Sequence, residues 1–241
     1  MQDAIVIIPT YNEIENIEAI IKAVFSQSHD IHILIIDDNS PDLTAYKVKE
    51  LQNEFQGKLF LISRNDKQGL GTAYIYGFKW CLARTYKYIF EMDADFSHDP
   101  KDLIKLYDAC ALHDADMSIG SRYVTGVNVV NWPMGRVLMS YLASKYVRVI
   151  TGMKINDTTA GFVCYKRETL EAIDLNKIKF IGYAFQIEMK FKTYLKKFKI
   201  IEVPVIFTDR TRGESKLSKG IISEAIFGVI SMKLRSIFKK Y

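Results

Sequence analysis

Cysteine is scarce, and nothing in the chain is long and apolar enough for a bilayer. Cys81, Cys110 and Cys164 are odd in number and far apart. They lack metal-site spacing and read as reduced, mostly buried thiols of a cytosolic protein, not as a disulfide framework. No stretch reaches 18 uninterrupted apolar residues, which argues against a membrane-spanning helix. Met1-Gln2-Asp3 puts no basic segment ahead of the first apolar run, and that run is too short for a secretory leader. None is expected. Charge of either sign is not in strong excess: +5 is too small to indicate nucleic acid, and no nucleic-acid motif is present. It suits an anionic ligand or a membrane surface equally well. Repeats and low-complexity linkers are also missing, so the 241 residues read as one large domain with a substantial core. Gly69-Leu70-Gly71-Thr72-Ala73 is not GxGxxG, because Tyr74 holds the last position, and no Gly-Lys-Ser/Thr follows. A Rossmann dinucleotide site and a P-loop are therefore excluded, which leaves a tight turn into a helix.

What is present is an alternation of strands and helices. Ala4 to Ile8, stopped by Pro9, is the continuous apolar run of a strand buried on both faces. Thr10 and Glu13 are spaced as a capping box, and Ile14, Ile17, Ile20, Ile21, Val24 and Phe25 then recur at helical spacing. Ile31 to Ile36 predicts a second strand, followed by a helix through Leu51 and a short strand from Leu59 to Ile62. Tyr88 to Met92 predicts a fourth strand, which runs into a loop before Pro100. Such alternation predicts a mostly parallel sheet with helices on both faces.

Each strand runs into polar or acidic residues. Tyr11 and Glu13 follow the first, Asp38 the second, and Asp93 and Asp95 the fourth. Turns prefer Asp and Asn, which accounts for any one of these ends. Together they predict a pocket at the strands' carboxyl ends, with an aromatic wall and several carboxylates, the outline of a nucleotide site. Asp93 and Asp95 suit a hard cation, Mg²⁺ or Mn²⁺, bridging protein carboxylates to phosphates. Ser97, Asp99 and Pro100 would start the next helix.

Six blocks then occur in order: Pro9 to Glu13, Asp37 to Asp42, Gly69 to Ala73, Met92 to His98, Gly120 to Tyr123 and Asp209 to Lys216. They resemble the signature blocks of inverting, GT-A-fold glycosyltransferases of family 2, and within it the dolichol- or polyprenol-phosphate mannose synthases. The resemblance spans roughly residues 4–220. It implies an α/β, Rossmann-like GT-A domain over residues 1–220 and a C-terminal amphipathic helix over 221–241. By resemblance, Pro9, Tyr11, Glu13, Ile36 and Asp38 would hold the base and ribose. Asp93 and Ala94 would lie against the ribose and diphosphate, and Asp95 would bind the metal. Some relatives carry a metal-ligating Gln two residues further on; here Ser97 stands there, a poorer ligand that water can replace. Arg122, Arg210 and Lys216 would surround the phosphates, in keeping with arginine's fit to phosphate oxygens.

The same resemblance gives Arg136 and Ser140 the acceptor's phosphate, with Arg122 helping to orient it. Arg136 and Ser140 are four apart, hence on one helix face. Asn156 to Phe162 resembles a further block with no chemical step assigned. Glu188 falls where many members carry a general base. The implied reaction moves a hexose, mannose from GDP-mannose, onto polyprenyl or dolichyl phosphate. The alternative is UDP-glucose or another nucleotide sugar with a different acceptor, and a hydroxyl acceptor would require a base. From Ile221 to Phe238 apolar residues recur about every four positions, with Lys233, Arg235, Lys239 and Lys240 between and after them. This predicts a basic amphipathic helix that packs on the core, on a membrane-protein partner or on a membrane. Many relatives have transmembrane helices here. For this chain peripheral contact with the cytoplasmic face of the membrane is expected.

Overall fold

In the computed structural model the continuous apolar runs form the middle of a seven-stranded sheet. Residues 2, 29, 183, 210–219 and 239–241 are not described, and of residues 220–225 only the helical backbone is. The chain runs β1 (Ala4–Thr10), α1 (Ile17–Phe25), β2 (His32–Asp37), α2 (Thr44–Leu51), β3 (Leu59–Ser63) and α3 (Leu70–Leu82). It continues through β4 (Tyr88–Glu91), α4 (Asp102–Ala111), β5 (Met117–Ser121), β6 (Val129–Val130) and α5 (Met134–Thr151). The rest is β7 (Val163–Lys166), α6 (Arg167–Ala172), α7 (Ala184–Leu195), β8 (Ile200–Pro204), β9 (Phe207–Thr208) and α8 (Gly220–Phe238).

Strand order is β3-β2-β1-β4-β7-β5-β8, and only β7 is antiparallel to its neighbours. Along β1, Ile5 and Ile7 point into one core while Ala4, Val6 and Ile8 point into the other. Both faces of the strand are thus buried, which is why no polar alternation appears in its sequence.

The capping box predicted at Thr10 and Glu13 does not form. The β1–β2 register extends to Thr10 opposite Asp37, so Thr10 is still strand, and its hydroxyl donates to Asp37 Oδ1 at 2.9 Å. Helix α1 begins only at Ile17. Glu13 instead closes the turn before it: its carbonyl accepts from the N–H groups of Asn16 and Ile17, and its carboxylate accepts from Asn16 Nδ2 at 3.0 Å.

The expected turn at Gly69 is present. Gly69 has φ +98°, a conformation that favours glycine. A Cβ at Gly71 would lie 2.9 Å from both the Phe180 carbonyl oxygen and Phe185 Cβ. Gly71→Ala is therefore expected to cost about 1–3 kcal/mol through overpacking. A thermal melt that did not move would contradict that packing.

Helix α8 has a buried and an exposed side. Val229 and Met232 enter the core, Lys233 Nζ donates to the Thr151 carbonyl at 3.1 Å, and Tyr146 donates to the Ile226 carbonyl at 2.8 Å. Phe227, Leu234, Ile237 and Phe238 remain exposed. Among the described residues no helix is long and apolar enough to cross a membrane.

Candidate active site

The carboxyl ends of β1, β2 and β4 meet on one rim of the sheet, as parallel pairing requires. The loop after β1 is stapled to the loop after β2: Asn12 N–H donates to Ser40 Oγ, Glu13 N–H to Thr44 Oγ1 and Ile14 N–H to Asp42 Oδ2, each at 3.0 Å. Tyr11 and Asp38 are thereby held on neighbouring loops. Lys67 Nζ lies 4.4 Å from the Tyr11 ring centroid. Asp38 is buried and accepts from Arg64 Nε and Nη2 at 2.6 and 2.7 Å, and Arg64 Nη1 reaches Thr72 Oγ1 at 2.7 Å. Burial pushes the Asp38 carboxyl above its ordinary range, against the pull of Arg64. Pro9 and Ile36 pair in the β1–β2 register, but the Ile36 side chain is fully buried beneath α3.

After β4 the chain turns sharply, with Phe96 at φ +59°. Asp95 Oδ1 accepts both the Ser97 N–H at 3.1 Å and the Ser97 hydroxyl at 2.5 Å, so the two residues expected to face a metal are joined. Ala94 is buried in the core between Asp93 and Asp95. His98 Nδ1 accepts the Asp93 N–H at 3.2 Å, which leaves the ring proton on Nε2. Burial pushes the His98 pKa down to about 4, so the ring is neutral. His98 stacks on Phe162 and meets Phe207 edge-on. Beneath, Glu91 accepts from Gln186 Nε2 at 2.7 Å, and burial raises its pKa to about 8. Among the described residues no group of three His, Cys, Asp or Glu could hold an ion. Asp93 and Asp95 are hard oxygen donors but an incomplete set, a match for a cation shared with substrate phosphates.

The residues expected at the acceptor phosphate are tied to this rim. Arg122 follows β5 and forms a bidentate pair with Asp157: Nε to Oδ2 and Nη2 to Oδ1, both 2.7 Å. Arg136 lies on α5, donates to Asp209 Oδ1 at 2.8 Å and sits 4.1 Å over the Trp132 ring. Ser140 lies one turn further along α5, half-buried. Strands β6 and β9 pair in parallel, and Thr208 N–H reaches the Ser97 carbonyl at 3.4 Å. This joins Asp209 to the loop after β4. Arg210 and Lys216 lie outside the described residues. Glu188 is buried in α7, where one carboxylate oxygen accepts the N–H groups of Lys179 and Phe180 at 2.8 and 3.1 Å.

Residues 5–174 match the model of Glycosyl transferase family 2. A polyprenol monophosphomannose synthase of Mycolicibacterium smegmatis is 44% identical over 97% of this chain and 88% of that protein. The chain belongs to glycosyl transferase family 2. An undecaprenyl-phosphate mannosyltransferase of Micrococcus luteus is 43% identical, covering 92% of this chain and 90% of that one. Among solved folds, a mannosyltransferase of Pyrobaculum calidifontis in complex with GDP-Man and Mn²⁺ superposes with a TM-score of 0.64 at 18% identity. It covers 99% of this chain and 65% of that one. The mostly parallel sheet with flanking helices agrees with the GT-A expectation. Residue patterns did not reveal Arg64 as the partner of Asp38 or Asp157 as the partner of Arg122. Asp157 lay in a stretch already singled out, while Arg64 meets Asp38 across 26 residues of sequence.

Proposed function

We propose that this family 2 enzyme transfers mannose from GDP-mannose to the phosphate of a polyprenol or dolichol, inverting the anomeric centre. The observation that carries this reading is the near full-length similarity to the polyprenol monophosphomannose synthase. Tyr11 and Asp38 hold the base and ribose, with Pro9 and Glu13 beside them and Ile36 beneath. Asp95 holds a divalent cation, Mg²⁺ or Mn²⁺, with Asp93, Ala94 and Ser97 alongside. When bound, that cation supplies charge stabilisation to the departing nucleoside diphosphate. Arg210 and Lys216 assist, so the leaving group needs little protonation. Arg122, Arg136 and Ser140 orient the acceptor phosphate. Already an anion at neutral pH, it needs orientation more than deprotonation.

A buried Glu188 that accepts two main-chain N–H groups supports a mechanism without a carboxylate base. Arg136→Ala is expected to lose about 10- to 100-fold in acceptor turnover, while Glu188→Gln keeps most catalysis per folded molecule. A hydroxyl acceptor would reverse the order, since base catalysis contributes about 10²–10⁴-fold. Steady-state kinetics of both variants decides between them.

Access to a lipid acceptor is ascribed here to the exposed apolar residues of α5 and α8. Met134, Leu138 and Leu142 on α5 and Phe227, Leu234 and Phe238 on α8 are exposed, with Arg235 nearby. An apolar face with basic residues suits an anionic membrane surface and peripheral association. Residues 1–220 would then carry catalysis and residues 221–241 recruitment. Phe227→Ser with Leu234→Ser should weaken binding to anionic vesicles several-fold with little change in melting temperature, because neither side chain is in the core. Unchanged vesicle binding would return this face to a protein partner.

A further inference from the structure

We infer that Asp157 is a positioning residue that fixes the Arg122 guanidinium toward the acceptor phosphate, an inference that rests on the acceptor role of Arg122 proposed above. The Asn156 to Phe162 segment, which had no chemical step assigned, acquires one from its geometry. Asp157 is fully buried and accepts from Arg122 three times: from the main-chain N–H at 3.0 Å, from Nε at 2.7 Å and from Nη2 at 2.7 Å. A bidentate pair fixes the guanidinium plane, not merely its distance. Thr159 Oγ1 accepts from the same Nη2 at 2.9 Å, and its hydroxyl reaches Asp157 Oδ1 at 3.3 Å. Burial alone would raise the Asp157 carboxyl; the charge and hydrogen bonds of Arg122 outweigh it, so the carboxylate stays ionised.

The segment is itself held at both ends. Glu202 of β8 accepts the N–H groups of Asn156 and Asp157 at 2.7 and 2.8 Å, and also the Ser121 hydroxyl at 2.7 Å. Lys190, fully buried in α7, donates to the Ala160 carbonyl at 2.6 Å. Gly161 then passes close to His98 and Asp93, within 4 Å of where a Cβ would stand. One strap thus runs from the Arg122 pair to the metal loop.

A buried ion pair is by itself weak evidence for function. Its place decides otherwise here. Arg122 directly follows β5, and its guanidinium is ringed by Tyr123, Trp132 and Phe207 at 5.3 to 5.5 Å. Trp132 also stacks under Arg136, and Phe207 also touches His98. The pair is close to electrically neutral, so it contributes direction more than attraction. Loosening it should therefore lower kcat more than it raises the acceptor KM.

The test uses the full chain with GDP-mannose, Mn²⁺ and a short polyprenyl phosphate. Asp157→Asn should lower kcat about 10- to 100-fold, with acceptor KM and the Kd for GDP changing by less than about 3-fold. The double variant with Arg122→Gln should fall no further than Arg122→Gln alone, because Asp157 acts only through Arg122. Thr159→Val keeps the charges and the fold, and should lower kcat by about 3- to 10-fold with the melting temperature unchanged. Additive losses in the double variant, accompanied by weaker GDP binding, would overturn the inference. So would full activity of Thr159→Val if Asp157→Asn fails to fold. If Arg122→Gln itself leaves acceptor kinetics intact, the acceptor role of Arg122 falls and this inference with it. If Arg122→Gln is crippled while Asp157→Asn is not, only the role of Asp157 falls.

Discussion

Asp95→Ala is expected to remove transfer almost completely, by about 10³-fold or more, while the protein stays folded. A metal ion contributes several kcal/mol to the stabilisation of developing phosphate charge, and each 1.4 kcal/mol is about tenfold in rate. Asp95 sits in a loop after β4, where it accepts the Ser97 N–H and hydroxyl. Losing them costs far less than losing a core side chain. The surrounding loop keeps the Thr208 to Ser97 main-chain bond and the stack of His98 on Phe162. Chelation of the wild-type enzyme with EDTA should reproduce the loss, and added Mn²⁺ or Mg²⁺ should restore the wild type but not the variant. Full activity of Asp95→Ala in chelator would remove the metal from the account.

The second large effect concerns Arg210 and Lys216. Both are proposed to meet negative charge that grows on the leaving diphosphate, so their benefit belongs to the transition state. Arg210→Ala and Lys216→Ala should each lower kcat by about 30- to 1,000-fold, which corresponds to about 2–4 kcal/mol. The KM for GDP-mannose should change much less. A change confined to KM would assign these cations to ground-state binding instead.

The fold was largely legible because its central strands are buried on both sides. Ala4 to Ile8 and Ile31 to Ile36 leave no polar alternation, and a sheet covered by helices on both faces is the structure that accommodates such runs. The placement of Asp38, Asp93 and Asp95 was legible for a related reason, since parallel strands put their carboxyl ends on one rim. The capping box at Thr10 and Glu13 failed where tertiary structure overrode a local pattern: pairing with Asp37 drew Thr10 into the sheet. The reversal of β7 carries no local signature, because an antiparallel strand buried on both faces reads like a parallel one. The network of Arg122, Asp157, Glu202 and Lys190 was invisible for a different reason. Its members are separated by 30 residues or more along most of their bonds, and hydrogen bonding between distant side chains imposes no sequence period. Lys190 is fully buried on a helix whose sequence marks it as an ordinary surface lysine. Helix α8 was read as packing on the core, on a membrane-protein partner or on a membrane. Val229 and Met232 are in the core, while the opposite face, with Phe227 and Leu234, remains exposed.

The most direct test of the central claim is a transfer assay with radiolabelled GDP-mannose, UDP-glucose and UDP-galactose as donors, each offered with a short polyprenyl phosphate and Mn²⁺. Label from GDP-mannose should pass into the organic phase as a β-linked, phosphate-bonded lipid product, only when the acceptor carries its phosphate, and not with Asp95→Ala. Label that enters the organic phase from UDP-glucose and not from GDP-mannose, or equal transfer to the unphosphorylated polyprenol, would contradict the account.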